Sequence, residues 1–479
     1  MLVIISDLHL TDGTSGETVH QGTFRVFRDR LRNLAYAASW RADGRYRPVE
    51  ELNIVLLGDV LDVLRSSKWL QERGALSRVR PWDDPQSRLL PEKVRSITDG
   101  ILKNNATFFT MMKELHRATL TSIPPATRAG RPLRVAGGRR RGSRVPVRVR
   151  IHYMVGNHDW FFHLPYAPYV EIRRSVVDAL GLDNDPALPF PHDPNEPSGG
   201  AILEILNGHR VFARHGDVYD RFNFAGHRDV SSLGDAIVID LVTSFATEVK
   251  SQLRGRLPQE SLAGLREIDN VRPLLMVPVW VGGLLRRTCP DVRLQRQVHE
   301  VWCDLASRFL RESFVRQCVN EECRFLGRQK LRWGLAISGK LLNPESSRFM
   351  CWVGGKVRSR KCSYYPFALR ETSFKNRCAR FIVYGHTHQH ELVPLDSCFA
   401  VQGMVNQIYL NSGTWRPVHE LARYDPSREV FASYRTMTYL AFFKDDERGG
   451  RTFECWSGSL SKSNPLERDT DLQTEMGDA

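Results

Sequence analysis

Five short apolar runs along this chain each end abruptly in polar residues, and together they set the plan of the sequence. Leu2-Val3-Ile4-Ile5 runs into Asp7-Leu8-His9, and Ile54 to Leu57 into Gly58-Asp59-Val60-Leu61-Asp62. Ile151 to Val155 runs into Gly156-Asn157-His158-Asp159, Val211 to Arg214 into His215-Gly216-Asp217, and Phe381 to Tyr384 into Gly385-His386-Thr387-His388. Aliphatic and β-branched runs of this length predict buried strands. Gly385 is expected to let the backbone turn tightly as its strand ends. In one α/β unit the carboxyl ends of such strands share an edge, where these folds place ligands. The pattern therefore predicts five strands converging on one site.

Between the runs the period changes. Phe24, Phe27, Leu31, Leu34 and Ala38 fall three and four apart, the stripe of an amphipathic helix lying on a sheet. Helices are also expected near Ile101–His116, near Tyr166–Leu180 and along Leu294, Val298, Val301, Leu305 and Phe309. Ser232-x-x-Asp235 reads as a capping box opening a helix with Ile237, Leu241, Phe245 and Val249 on one side. Ala201–Leu206 and Arg210–Arg214, joined by Asn207-Gly208, predict a hairpin with a type I′ turn. Gln407–Leu410 reads as a strand, and Met437–Phe443 is expected to pair with Arg451–Trp456 through a Gly-Gly turn. The plan that results is an α/β core over residues 1–219 with an insert at 66–148, a helical cap insertion over 220–376, the rest of the core over 377–456, and a disordered tail at 457–479.

The chain, at 479 residues, exceeds one typical domain, yet the motif strands span nearly all of it, which favours one core with large insertions. Hydrophobic residues make up 42% and charged residues 25%, the balance of a globular chain, and no stretch reaches the roughly 18 apolar residues of a membrane span. Asp7 interrupts the first apolar run and no basic segment precedes it, so a secretory signal is not expected and a cytoplasmic location is. All nine cysteines lie between Cys289 and Cys455 without a Cys-x-x-Cys pair, which argues against a disulfide framework and a structural zinc cluster. The net charge of +14 points to an anionic partner. Part of it lies in Arg128 to Arg150, arginine-rich and free of acids, which predicts a solvated loop, with nucleic acid binding through a basic surface as the alternative. Pro273–Leu285, the most apolar stretch, reads as a core helix of the cap, with peripheral membrane or lipid contact as the other reading.

Carboxylate, imidazole and amide donors in this mixture suit Mn²⁺, Fe or Zn²⁺, and the two histidines of His386-Thr387-His388 can approach one centre or two adjacent ones. In chain order, Asp7-x-His9, Gly58-Asp59-x-x-Asp62, Gly156-Asn157-His158-Asp159, His215 and Gly385-His386-x-His388 resemble the five signature motifs of the calcineurin-like metallophosphoesterase superfamily. The resemblance covers roughly Met1–Leu64, Arg150–Asp220 and Arg380–Trp456. It implies a four-layer α/β/β/α sandwich holding two divalent metal ions, Mn²⁺ first, with Fe or Zn²⁺ as alternatives. By the same resemblance Asp7, His9 and His388 would bind one ion, Asn157, His215 and His386 the other, and Asp59 would bridge them. His158 would serve the leaving group as a general acid, oriented by Asp62, while a water acidified by both ions attacks phosphorus.

The activity implied is hydrolysis of a phosphodiester or pyrophosphate bond in a phosphorylated small molecule, nucleotide-linked or lipid-linked. Asp7-Leu8-His9-Leu10, His215-Gly216-Asp217 and Gly385-His386-Thr387-His388 look more like the UDP-diacylglucosamine pyrophosphatase group than like the serine/threonine phosphatases. A nuclease, favoured by the basic charge, and a non-catalytic scaffold, disfavoured by the intact residue set, stand beside that reading. Asp12, Asp159, Asp217 and His390 are further candidates to support the ligands, while His152, Asn411 and Trp415 read as structural.

Overall fold

Alternation within the first apolar run, β1 (Leu2–Ile5), decides how the layers stack. Leu2 and Ile4 enter one apolar cluster and Val3 and Ile5 another, as the period of two in a strand requires. The computed structural model describes residues 1–16, 19–71, 79–117, 121–133, 144–272, 276–321, 363–400, 403–422 and 428–460. After β1 come β2 (Glu51–Leu57), β3 (Ser122–Ile123), β4 (Val145–Pro146), β5 (Arg148–Met154), β6 (Val211–Ala213) and β7 (Val271–Arg272). The remaining strands are β8 (Phe381–Tyr384), β9 (His390–Ala400), β10 (Gly403–Ser412), β11 (Pro417–Leu421), β12 (Phe431–Phe442) and β13 (Phe453–Leu460). The fold is mixed α/β.

One sheet runs β5-β2-β1-β12-β11-β7, with β13 also paired to β12, and a second runs β6-β8-β10-β9. β5, β2 and β1 are parallel, as are β6, β8 and β10, so the strands that carry the motifs point the same way within each sheet. Leu2, Ile4, Val55 and Leu57 from the first sheet share a cluster with Val211, Ala213, Phe381 and Val383 from the second. Val3, Ile5, Ile54 and Leu56, on the other face, pack with Phe24, Phe27 and Leu31 of the helix Gln21–Ala38. Phe212, Ile382 and Tyr384, on the far face of the second sheet, meet Ala368 and Phe374 of two short helical turns.

Several expected elements shift. Ala201–Leu206 is no strand but part of the helix Gly200–Gly208, because Ile202, Ile205 and Leu206 bury one side of it and Asn207-Gly208 ends a helix as readily as it turns a hairpin. The helix expected at Ile101–His116 is two, Leu89–Asn104 and Ala106–His116. Asn105 separates them and donates its side-chain amide to the carbonyls of Ile101 and Thr11. Both pack on the first sheet, so much of the 66–148 insert belongs to the core. Arg148 and Arg150 lie in β5 and Arg144 donates to Ser122, so Arg128–Arg150 is not one loop; residues 134–143 lie outside the described residues. Ser457 to Leu460 extend β13 rather than starting a tail, and 461–479 are not described.

The capping box at Ser232 and Asp235 is present, and the helix it opens passes through a π-helical segment, Ile237–Thr243, before Ser244–Gln252. Val292–Phe309 is the long helix of the cap. Val277–Thr288 is a buried core helix of the same cluster, while residues 273–275 are not described. The cap also reaches into the first sheet through β7, paired in parallel with β11. Among the described residues no helix is long and apolar enough to cross a membrane.

Candidate metal centre

The loops after β1, β2, β5, β6 and β8 come together, held first by backbone. Asp7 N–H donates to the Gly58 carbonyl at 3.1 Å and His9 N–H to that of Asp59 at 2.9 Å, while Gly385 N–H reaches the His215 carbonyl at 2.8 Å. Asp7, His9, Asp59, His386 and His388 all adopt positive φ, between 48° and 66°. L-residues avoid that region, although aspartate and histidine enter it more readily than most. Gly385 does not: its φ is ordinary, and its missing side chain matters because a Cβ there would lie 2.6 Å from Asp7 Oδ2. The expected tight turn falls on the two histidines instead. A Cβ on Gly156 would lie 2.3 Å from Asp59 Oδ1, so that glycine too is needed for close approach.

Two groups of donors result. The ligating atoms of Asp7, His9 and His388 lie within 4.8 Å of one another, as do those of Asp59, His215 and His386, and each group could hold a metal ion. His9 Nδ1 donates to Asp62 Oδ2 at 2.8 Å, which leaves Nε2 as the lone pair facing His388 Nε2 at 3.0 Å and Asp59 Oδ2 at 3.6 Å. His215 Nδ1 donates to the Leu57 carbonyl at 2.9 Å and turns Nε2 towards Asp59 Oδ2 at 3.2 Å. His386 sets Nδ1 3.0 Å from Asn157 Oδ1 and Nε2 3.2 Å from Asp220 Oδ2. A histidine whose second nitrogen is held by an acceptor is fixed in the tautomer that ligates. Asp7 Oδ1 and His215 Nε2 are buried without a hydrogen-bond partner among the described residues, as fits donors awaiting a cation. All seven expected ligands are therefore brought to one place.

His158 is different. Its Nδ1 lies 2.7 Å from Asp62 Oδ1, so one carboxylate holds both His9 and His158. Burial alone would lower the pKa of His158, but the Asp62 and Asp59 carboxylates outweigh it and raise the imidazole to about 9. Carboxylates act likewise on His215, where burial opposes and Asp59 and Asp7 prevail, holding it well above the usual range. Asp62 is buried, which disfavours its charge, yet His158 and His9 hold it well below the ordinary carboxylate range. His158 also lies within 4.8 Å of His9 and Asp59, a third donor group sharing atoms with the other two.

The supporting candidates divide. Asp159 is an anchor for the loops, accepting from Val60 N–H, Gly156 N–H and the Tyr153 hydroxyl, and burial beside Asp59 raises it to about 6. Asp217 pairs with Arg228 and His192, Asp12 accepts from Thr14 and Ser66, and His390 meets the Asn411 carbonyl. Asn411 donates to the Gly385 carbonyl and Trp415 to that of Thr438, both structural; His152 is buried away from the donor groups.

Sequence reasoning missed residues that the cap contributes. Asp220 and Asn223 hold His386 and Asn157 from behind, Asn223 Oδ1 accepting from the Asn157 amide at 3.2 Å. Arg272 of β7 places Nη2 2.5 Å from His388 Nδ1. It belongs to a buried cluster in which Asp269 pairs with Arg65 at 3.2 Å and Arg416 at 2.8 Å. Burial lowers the pKa of Arg272 to about 10, partly offset by Asp269. No spacing signal links residues 65, 269, 272 and 416. No protein family and no curated protein matches the chain.

Proposed function

We propose that this chain is a two-metal-dependent phosphoesterase of the calcineurin-like metallophosphoesterase type, hydrolysing a phosphodiester or pyrophosphate bond of a small nucleotide- or lipid-linked substrate. The observation that carries the reading is the sorting of the motif residues: Asp7, His9 and His388 in one donor group, Asp59, His215 and His386 in the other, with Asn157 Oδ1 beside the second. The shared cluster between the two sheets, with helices outside both, supports the four-layer α/β/β/α arrangement that goes with it.

Two divalent cations bound there would polarise phosphoryl oxygens and lower the pKa of water. Three carboxylate or imidazole donors per side with one amide suit Mn²⁺, with Fe or Zn²⁺ as alternatives. Asp59, whose carboxylate faces both His9 and His215, is the bridging residue of the scheme. The Asp62 and Asp59 carboxylates favour the protonated form of His158, which would give its proton to the leaving oxygen, and Asp62 holds the ring for that task. Arg272 and its cluster set positive charge beside the first donor group, in keeping with an anionic substrate.

One geometric fact favours a second reading of one residue: His158 is close enough to His9 and Asp59 to be a ligand itself. Metal analysis of Asp59→Asn and His158→Asn, joined to a Mn²⁺-loaded activity panel, tests both. The panel compares a simple diester, a monoester, a UDP-linked sugar and single-stranded DNA. Asp59→Asn is expected to lose both ions and His158→Asn neither. Full metal content in Asp59→Asn would refute the bridging role, and turnover confined to DNA would replace the small-molecule reading with a nuclease.

A further inference from the structure

One cavity, lined by none of the donor residues, brings together cations of the cap and the core. It measures about 170 Å³ and lies between the loop around Thr14 and the helix Ser244–Gln252. Arg65 and Thr14 come from the core, and Thr243, Thr247, Lys250 and Arg266 come from the cap; no aspartate or glutamate lines the wall. Arg65 is buried, its Nε paired with Asp269. Among the described residues its Nη1 has no hydrogen-bond partner, and neither has the Thr243 hydroxyl. Among the described residues neither Lys250 nor Arg266 makes an ion pair.

A buried guanidinium N–H and a buried hydroxyl without an acceptor are both unfavourable. Lys250 and Arg266 stand at the exposed mouth, where they favour an anionic acceptor over water. Size narrows the occupant further. Ligand pockets for drug-sized molecules run about 300–1,000 Å³, so this smaller cavity suits a tetrahedral oxyanion with a few waters better than a nucleoside. Arginine, lysine and hydroxyl donors lining one cavity are the chemistry that binds phosphate.

We propose that this cavity is a binding site for a phosphate-type oxyanion, separate from the metal centre, and that the bound anion ties the cap to the core. The anion is either free phosphate or the end group of a phosphorylated ligand whose remainder stays outside. The site stands or falls on binding, whatever reaction the metal centre carries out.

Isothermal titration of the metal-loaded full chain with inorganic phosphate and with glycerol 3-phosphate tests it, against the double variant Lys250→Ala/Arg266→Ala. Both residues are exposed, so folding is preserved. The wild type is expected to show a binding event that the variant weakens at least tenfold, while hydrolysis of a simple diester is the same in both. Tighter binding of glycerol 3-phosphate identifies a phosphorylated ligand, and tighter binding of phosphate identifies the free ion. Thr247→Glu adds a carboxylate to the wall while keeping both cations, and is expected to abolish the same event. Isotherms identical to the wild type in both variants would overturn the proposal.

Discussion

Asp62 holds two imidazoles through its two oxygens, and this separates its role from that of His158. On the proposed function His158→Asn keeps both metals and loses about 10²–10⁴-fold in rate, less for p-nitrophenolate leaving groups that need little protonation. Asp62→Asn is expected to do more, since it also releases His9 from its ligating tautomer: turnover falls and metal content at the first group falls with it. Equal metal content in the two variants would show that His9 does not depend on Asp62. A second residue reports on folding alone. His209 is buried, which lowers its pKa to about 3; Nδ1 donates to the Ile205 carbonyl, and Nε2 has no partner among the described residues. The unfolded chain binds a proton below about pH 6.5 that the folded chain refuses until about 3, so this residue's share of stability is lost as pH falls through that window. Urea unfolding at pH 7.5 and 4.5 should therefore show wild type losing roughly 2 kcal/mol relative to His209→Gln. A difference that does not move with pH would mean that His209 is not buried neutral.

At the scale of elements, the strand ends were legible because burial on both faces forces continuous apolar runs, and the polar residues after Ile5, Leu57 and Tyr384 stand out against them. The helix Gly200–Gly208 was not, because its apolar positions fit a short strand equally well and Asn207-Gly208 is ambiguous. Asn105 broke one expected helix into two through a bond to Thr11, a partner far away in sequence. The arginines around Asp269 were invisible for the same reason: four positions from three segments meet only once the cap is folded onto the sheet. These boundaries change what can be removed. Deleting residues 134–143 is expected to leave the melting temperature and turnover of a small diester nearly unchanged. Deletion through Arg150 takes part of β5, a strand of the first sheet, and should yield insoluble chain. Lost turnover in the short deletion, with metal content intact, would place that segment at the active site.

Taken whole, the molecule does not divide cleanly into core and lid. β7 belongs to the cap by sequence and to the first sheet by hydrogen bonding, and its neighbour Asp269, also of the cap, pairs its carboxylate with two buried arginines of the core, Arg65 and Arg416. Removing one partner from a buried ion cluster strands the others, typically at 3–5 kcal/mol. Asp269→Asn is therefore expected to lower the urea midpoint sharply without touching any proposed ligand, and a midpoint within error of wild type would show that the arginines find other partners. The five left-handed backbones at Asp7, His9, Asp59, His386 and His388 have a consequence outside the test tube. Each stores roughly 1 kcal/mol of strain, and a protein of this kind has only about 5–15 kcal/mol to spare. Ions bound to those residues would favour the folded state by mass action. In a cell short of the metal, newly made chains would then open more often and meet proteases sooner, so that metal supply would set how much of the protein persists as well as how much of it is active.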